Sequence, residues 1–204
     1  MQTIRQKRIA LSLLLSLIIV LGLLWRIGML GIWTEGIGYI ADRTTEYSND
    51  NGHDVQGDYS IAINLADLES NIGKEIYNDG NYKIYVAWVN TSESINTGGY
   101  NIGFRSSGKY SRDGATLVSG VKHITLDHHS FTSEMSAKMT AQYRSVIYNS
   151  STYGTSGLNY KDGDDFSFYI FPSEAYESGG VTLNETGVVQ VTLSNLYKNV
   201  WTKR

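Results

Sequence analysis

Asp162, Asp164 and Asp165 place three carboxylates within four residues, the densest group of hard oxygen donors in the chain. Ca2+ takes ligands of this kind, and such a cluster repels itself unless water or a cation screens it, so these three aspartates are the candidate calcium ligands. A second polar stretch, Asn49-Asp50-Asn51-Gly52-His53-Asp54, offers similar donors but puts Tyr47 where an EF-hand loop has its first Asp. The plainer reading of both stretches is a solvated turn, and the group at 162–165 is the better calcium candidate of the two. The histidines are His53, His123, His128 and His129. Only Asp127-His128-His129 has the residue types of a metal site, and neighbours on a strand point to opposite faces, so that pair needs a bend to share an ion.

The motifs of familiar enzymes are missing. There is no cysteine nucleophile, no Gly-x-Ser-x-Gly, no His-Glu-x-x-His and no glycine-rich phosphate loop. A Ser/His/Asp triad gathered from distant positions is the one catalytic arrangement the sequence leaves open. Tyr100, Tyr110, Tyr148, Tyr153 and Tyr160 lie in loop-like sequence and could stack on sugar rings, or simply cover half-exposed strands. The expectation is a protein that is not an enzyme and needs no cofactor, calcium apart.

The elements that would position these residues are mostly strands. Fifteen tyrosines, 21 glycines and a single proline, Pro172, favour strands joined by Gly/Asn/Asp turns. Tyr59, Ile61, Ile63 and Leu65 alternate with polar partners, the period of a half-buried strand. Tyr82 to Val89 is apolar on both faces and reads as a central strand covered on two sides. Residues 43–57 read as a loop, Asn78-Asp79-Gly80-Asn81 as a turn, 90–114 as an exposed meander and 118–126 as a strand. Phe131, Met135, Met139 and Tyr143 recur every four residues, which predicts a short helix to about Thr140 before a strand through Ile147; the same stretch also fits period 2. Residues 149–165 read as a polar loop, and 166–171 and 188–193 as further strands. Six to eight short strands predict a mostly all-β domain, a β-sandwich or jelly roll.

Arg5, Lys7 and Arg8 precede a long apolar run from Ile9 to Trp25 without a charged residue, and Ile27 to Trp33 resumes it after Arg26. Positive charge ahead of the run holds that end in the cytoplasm. Residues 1–38 are therefore a signal peptide or a membrane anchor, with Gly36-Ile37-Gly38 as the best cleavage site, and residues 39–204 are an exported, extracytoplasmic domain. Lacking cysteine, it has no disulfide to hold it, which suits a prokaryotic cell surface. Sequons stand at Asn90, Asn149 and Asn184. Residues beyond 38 hold 13 basic and 19 acidic side chains without a basic cluster, so nucleic acid is not an expected partner.

Gly38-Tyr39-Ile40-Ala41-Asp42 after the apolar segment, then Asn51 and Gly57, then Ile63-Asn64-Leu65-Ala66-Asp67-Leu68 before Gly73-Lys74, and Asn78-Asp79-Gly80 leading into Ile84 and Val86, form a series over residues 38–89. This series resembles the start of the TasA/camelysin family of exported fibre-forming proteins, to which archaeal bundling pilins are similar. The resemblance implies a jelly-roll subunit that adds its N-terminal segment as a strand to the next subunit. Tyr39, Ile40, Ala41 and Asp42 would be that donor strand. It implies a cell-surface filament or biofilm matrix built by self-association into a homopolymer. The alternative expectation is a binding module, held to the membrane by its N-terminal helix, that recognises a glycan or a surface protein.

Overall fold

A computed structural model describes residues 2–92, 98–127 and 130–204. Three helices come first: α1 (Gln2–Arg26), α2 (Met29–Glu35) and α3 (Ile37–Asp42). Strands follow as β1 (Tyr47–Ser48), β2 (His53–Val55), β3 (Tyr59–Asn64), β4 (Glu75–Asn78), β5 (Lys83–Thr91), β6 (Tyr100–Ser107), β7 (Lys109–Ser111) and β8 (Gly114–Ser119). The second half holds β9 (Val121–Asp127), β10 (Ser130–Met135), β11 (Lys138–Tyr143), β12 (Val146–Asn149), β13 (Ser151–Tyr160), β14 (Gly163–Tyr169), α4 (Ser173–Glu177), β15 (Val188–Ser194) and β16 (Leu196–Lys203).

The protein is mostly β, in antiparallel sheets, with an apolar N-terminal helix. One sheet runs β13-β14-β6-β5-β4 and another β12-β11-β15-β3. Alternation along the strands sends Ile84, Val86, Ile102, Phe104, Phe166 and Phe168 of the first sheet, and Ile63, Met139, Ala141, Val189, Val191 and Leu193 of the second, into one shared core. Phe104 and Phe166 stack at its centre, 5.5 Å apart. A third sheet runs β1-β16-β8-β7, with β2 also on β16, and β9 and β10 form a separate hairpin.

Several local expectations change. The four-residue spacing of Phe131, Met135, Met139 and Tyr143 is not a helix: residues 130–135 and 138–143 are β10 and β11, so the period-2 reading wins. Met139, Ala141 and Tyr143 are buried on the core face of β11, which pairs with β15 on one side and β12 on the other. The short helix lies instead at Ser173–Glu177, after Pro172. The predicted meander holds β6, buried along almost its whole length between β5 and β14, with Gly103 and Ser106 among its strand residues. The polar loop predicted from 149 to 165 contains β13, an edge strand whose exposed positions are polar apart from Tyr153. Short strands β1 and β2 punctuate the loop expected at 43–57.

The segment read as a donor strand is helical here. Ile37, Ile40 and Ala41 recur at i, i+3 and i+4, one face of a helix, and all three are buried in a second core with Ile32, Tyr47, Ala115, Leu117 and Trp201. The boundary expected between Gly38 and Tyr39 thus falls inside α3. Wound as a helix, the segment does not present the extended row of N–H and C=O groups with which a donor strand pairs along a sheet edge.

Candidate functional site

The three aspartates of the candidate calcium cluster point to three different partners. Asp162 accepts a hydrogen bond from the Ser107 hydroxyl. Asp165 takes a bidentate pair from Arg105, with Nε 2.7 Å and Nη2 2.9 Å from its two oxygens, and the guanidinium lies over the Tyr160 ring. Asp164, between them on β14, is fully buried. Strand alternation separates Asp164 from Asp165, because adjacent residues leave opposite faces, and Asp162 lies in the turn before β14. Among the described residues no group of three or more His, Cys, Asp or Glu side chains is placed to hold a metal ion. His53 is exposed beside the Asn51 carbonyl, and the pair His128 and His129 lies outside the described residues.

Asp164 organises a buried polar knot. The Ser119 hydroxyl donates to its carboxylate at 2.8 Å, His123 Nε2 lies 2.8 Å from Oδ2, and Ser133 Oγ lies 3.1 Å from His123 Nδ1. With the imidazole proton on Nε2, every member is satisfied: Nε2–H donates to Asp164, and Nδ1 accepts from Ser133. This is the connectivity of a serine, a base and an orienting acid. The imidazole, however, is itself buried, flanked by the Phe131 and Trp201 rings. Asn199 extends the knot, accepting from the His123 amide and donating to the Val121 carbonyl. The arrangement ties β8, β9, β10, β14 and β16 together through groups that would be costly to bury alone.

The second core joins the N-terminal helices to the sheets. α1 includes a stretch, Arg8–Arg26, long and apolar enough to cross a membrane, none of it buried against the rest of the chain. Gly36 then turns the chain into α3 at φ 61°, against β13, and a Cβ there would overlap the Lys161 carbonyl. The next amide, Ile37 N–H, donates to that carbonyl at 2.8 Å. Tyr39 accepts a cation–π contact from Arg43, which also pairs with Glu46. Burial above all, with the nearby acidic charges, raises the Tyr39 phenol above its usual value, although Arg43 opposes this. On the outer side of α2, Trp33 is 72% exposed while its neighbour Ile32 is buried.

An aromatic groove lies on the face of the five-stranded sheet that turns away from the main core. One extra residue, Ala87, interrupts the pairing of β5 with β6, where Val86 faces Phe104 and Trp88 faces Gly103. This bulge turns Trp88 outward, where strict alternation would have buried it. Its indole lies close against Gly103, at a spot where any Cβ would collide with the ring. Tyr153 stands edge-on to both Trp88 and Tyr169, with centroids 5.9 Å and 5.0 Å away. Of the tyrosines proposed for sugar stacking, Tyr153 lines this groove and Tyr160 stacks on Arg105. Tyr100 is buried, Tyr148 packs on the main core beside Phe171, and Tyr110 packs on the second core. Trp88 escaped the sequence reading; the signal was Gly103 inside Ile102-Gly103-Phe104, since a lone strand glycine marks a bulge or a close approach.

No protein-family model, no curated protein and no solved structure matches this chain.

Proposed function

We propose that this protein is a membrane-tethered surface module: an exported β-sandwich or jelly-roll domain, held at the extracytoplasmic face by a retained α1, that works by binding and not by catalysis. The observation that carries the reading is the shared second core, in which Ile32, Ile37, Ile40 and Ala41 supply four of eight buried side chains. Cleavage after Gly38 would remove Ile32 and Ile37 and uncover apolar surface on Leu117 and Trp201. Trp25 and Trp33, both strongly exposed on either side of the α1–α2 junction, suit the membrane–water interface, where the amphipathic indole is favoured.

A fibre subunit of the kind implied by the TasA/camelysin resemblance is the second reading. α3 runs against β13, the edge of its sheet, so the segment from Ile27 to Asp42 is a separable plug over an edge. If a neighbour's segment replaced it, the contact would be head-to-tail and would propagate without closing.

The cysteine-free sequence permits a direct test. Glu35 and Lys161 are both exposed where the α2–α3 junction meets the end of β13. In the full-length chain carrying Glu35→Cys and Lys161→Cys, a short bismaleimide should bridge the two thiols within one molecule and leave a single monomeric band. A ladder of covalent oligomers would instead place each segment on a neighbour and support the fibre.

A further inference from the structure

We infer that the groove centred on Trp88 is a saccharide-binding site that takes one ring of a neutral pyranose glycan, an inference that rests on the tethered-module reading. A pyranose presents an apolar C–H face and a rim of hydroxyls, so it needs a flat aromatic floor beside hydrogen-bonding side chains. Trp88 supplies the floor, its indole held close against Gly103 and lining the groove. Tyr153, 53% exposed, supplies a wall perpendicular to it.

The polar side is equally defined. Asp165 and Ser167 line the groove, and the bidentate contact with Arg105 fixes the Asp165 carboxylate in place. A carboxylate whose charge is matched in this way still has lone pairs to accept sugar hydroxyls. The paired charges leave the site without net attraction for an anionic or a cationic ligand, which favours a neutral sugar. The groove encloses about 230 Å³, below the range that holds a drug-sized ligand and suited to a single ring. Both strands that frame it are irregular: β5 has the bulge at Ala87, and β13 shifts register three times against β14. Bulges gather where a side chain must be re-aimed for function.

The test uses full-length protein in a detergent without a sugar headgroup, probed with cellohexaose, chitohexaose and mannohexaose by saturation-transfer NMR. At millimolar concentration at least one hexaose should receive saturation on the C–H protons of one ring face, and Trp88→Ala should weaken its binding at least tenfold. Tyr153→Ala, at an exposed edge position, should weaken it as well and serves if Trp88→Ala fails to fold. No transfer to any of the three, or binding that survives the loss of Trp88 and Tyr153, overturns the site. Thiol bridging between Glu35→Cys and Lys161→Cys separates the two ideas: single-molecule bridging without sugar binding removes the saccharide site alone, whereas a ladder with Trp88-dependent binding removes the tether alone.

Discussion

Ile37→Ala asks whether the segment after the apolar helix belongs to the folded domain or merely leads to it. Ile37 is completely buried, and the substitution removes three carbons. At about 0.8 kcal/mol per buried CH2 the transfer loss is about 2.4 kcal/mol, and the cavity left between α3 and the sheet takes the total to about 3 kcal/mol, inside the roughly 2–5 kcal/mol span of such truncations. A domain of this size loses about 2–4 °C of Tm per kcal/mol, so the midpoint should fall by about 6–12 °C. Near-UV circular dichroism of the full-length protein in detergent reads this directly, because Tyr39, Tyr47 and Trp201 surround the site. Ile147→Ala, on the exposed face of β12, is the control and should stay within about 0.5 kcal/mol of the parent. An Ile37→Ala midpoint equal to that of Ile147→Ala would refute the shared second core and the retained anchor argued from it.

Asp164→Ala should cost about 2–5 kcal/mol, because it strands two buried donors, His123 Nε2–H and the Ser119 hydroxyl, at about 1–3 kcal/mol each; urea unfolding that shifts by less than 1 kcal/mol would show that the knot is not structural. Glu185 sets the acid response. Burial works to raise its pKa, but hydrogen bonds from Tyr143 and Thr182, with the Arg144 charge, outweigh it and hold the carboxyl below its ordinary 4.5. A carboxyl lowered in the folded state stabilises above the unfolded pKa and loses that contribution as pH falls through the folded one. Below about pH 4.5 the parent's Tm should therefore drop more steeply than that of Glu185→Gln in parallel melts, and equal slopes would refute the assignment.

Parts of this architecture were legible residue by residue. The run from Ile9 to Trp25 was legible as a helix long and apolar enough to cross a membrane, since its length and its lack of any charged residue leave no strongly polar face. Tyr59 to Leu65 and Val188 to Leu193 showed their buried faces through alternation, and they pair as β3 and β15. The stretch around Met135 and Met139 fitted both periods, and its pairing partners decided between them: Met135 faces Val121 in the β9–β10 hairpin, while Met139 and Ala141 face Leu193 and Val191 of the distant β15. Residues 149–165 looked like a loop because an edge strand needs only one neighbour, and its exposed positions, polar apart from Tyr153, imitate a turn.

Composition and local pattern determined that this chain carries a membrane-length apolar helix, that its remainder is strand-rich and without disulfides, and that the familiar catalytic motifs are missing. Those properties follow from short-range chemistry, from charge and hydropathy to the two-residue period of a strand. Only the tertiary structure decided that Asp164 leaves its two acidic neighbours to join a histidine 41 residues away, that Ile37 to Ala41 fill a core instead of extending as a strand, and that one bulge turns Trp88 outward onto Gly103. Each of these depends on which distant segment lies opposite. A side chain's partner, unlike its period, is set by the packing of the whole chain.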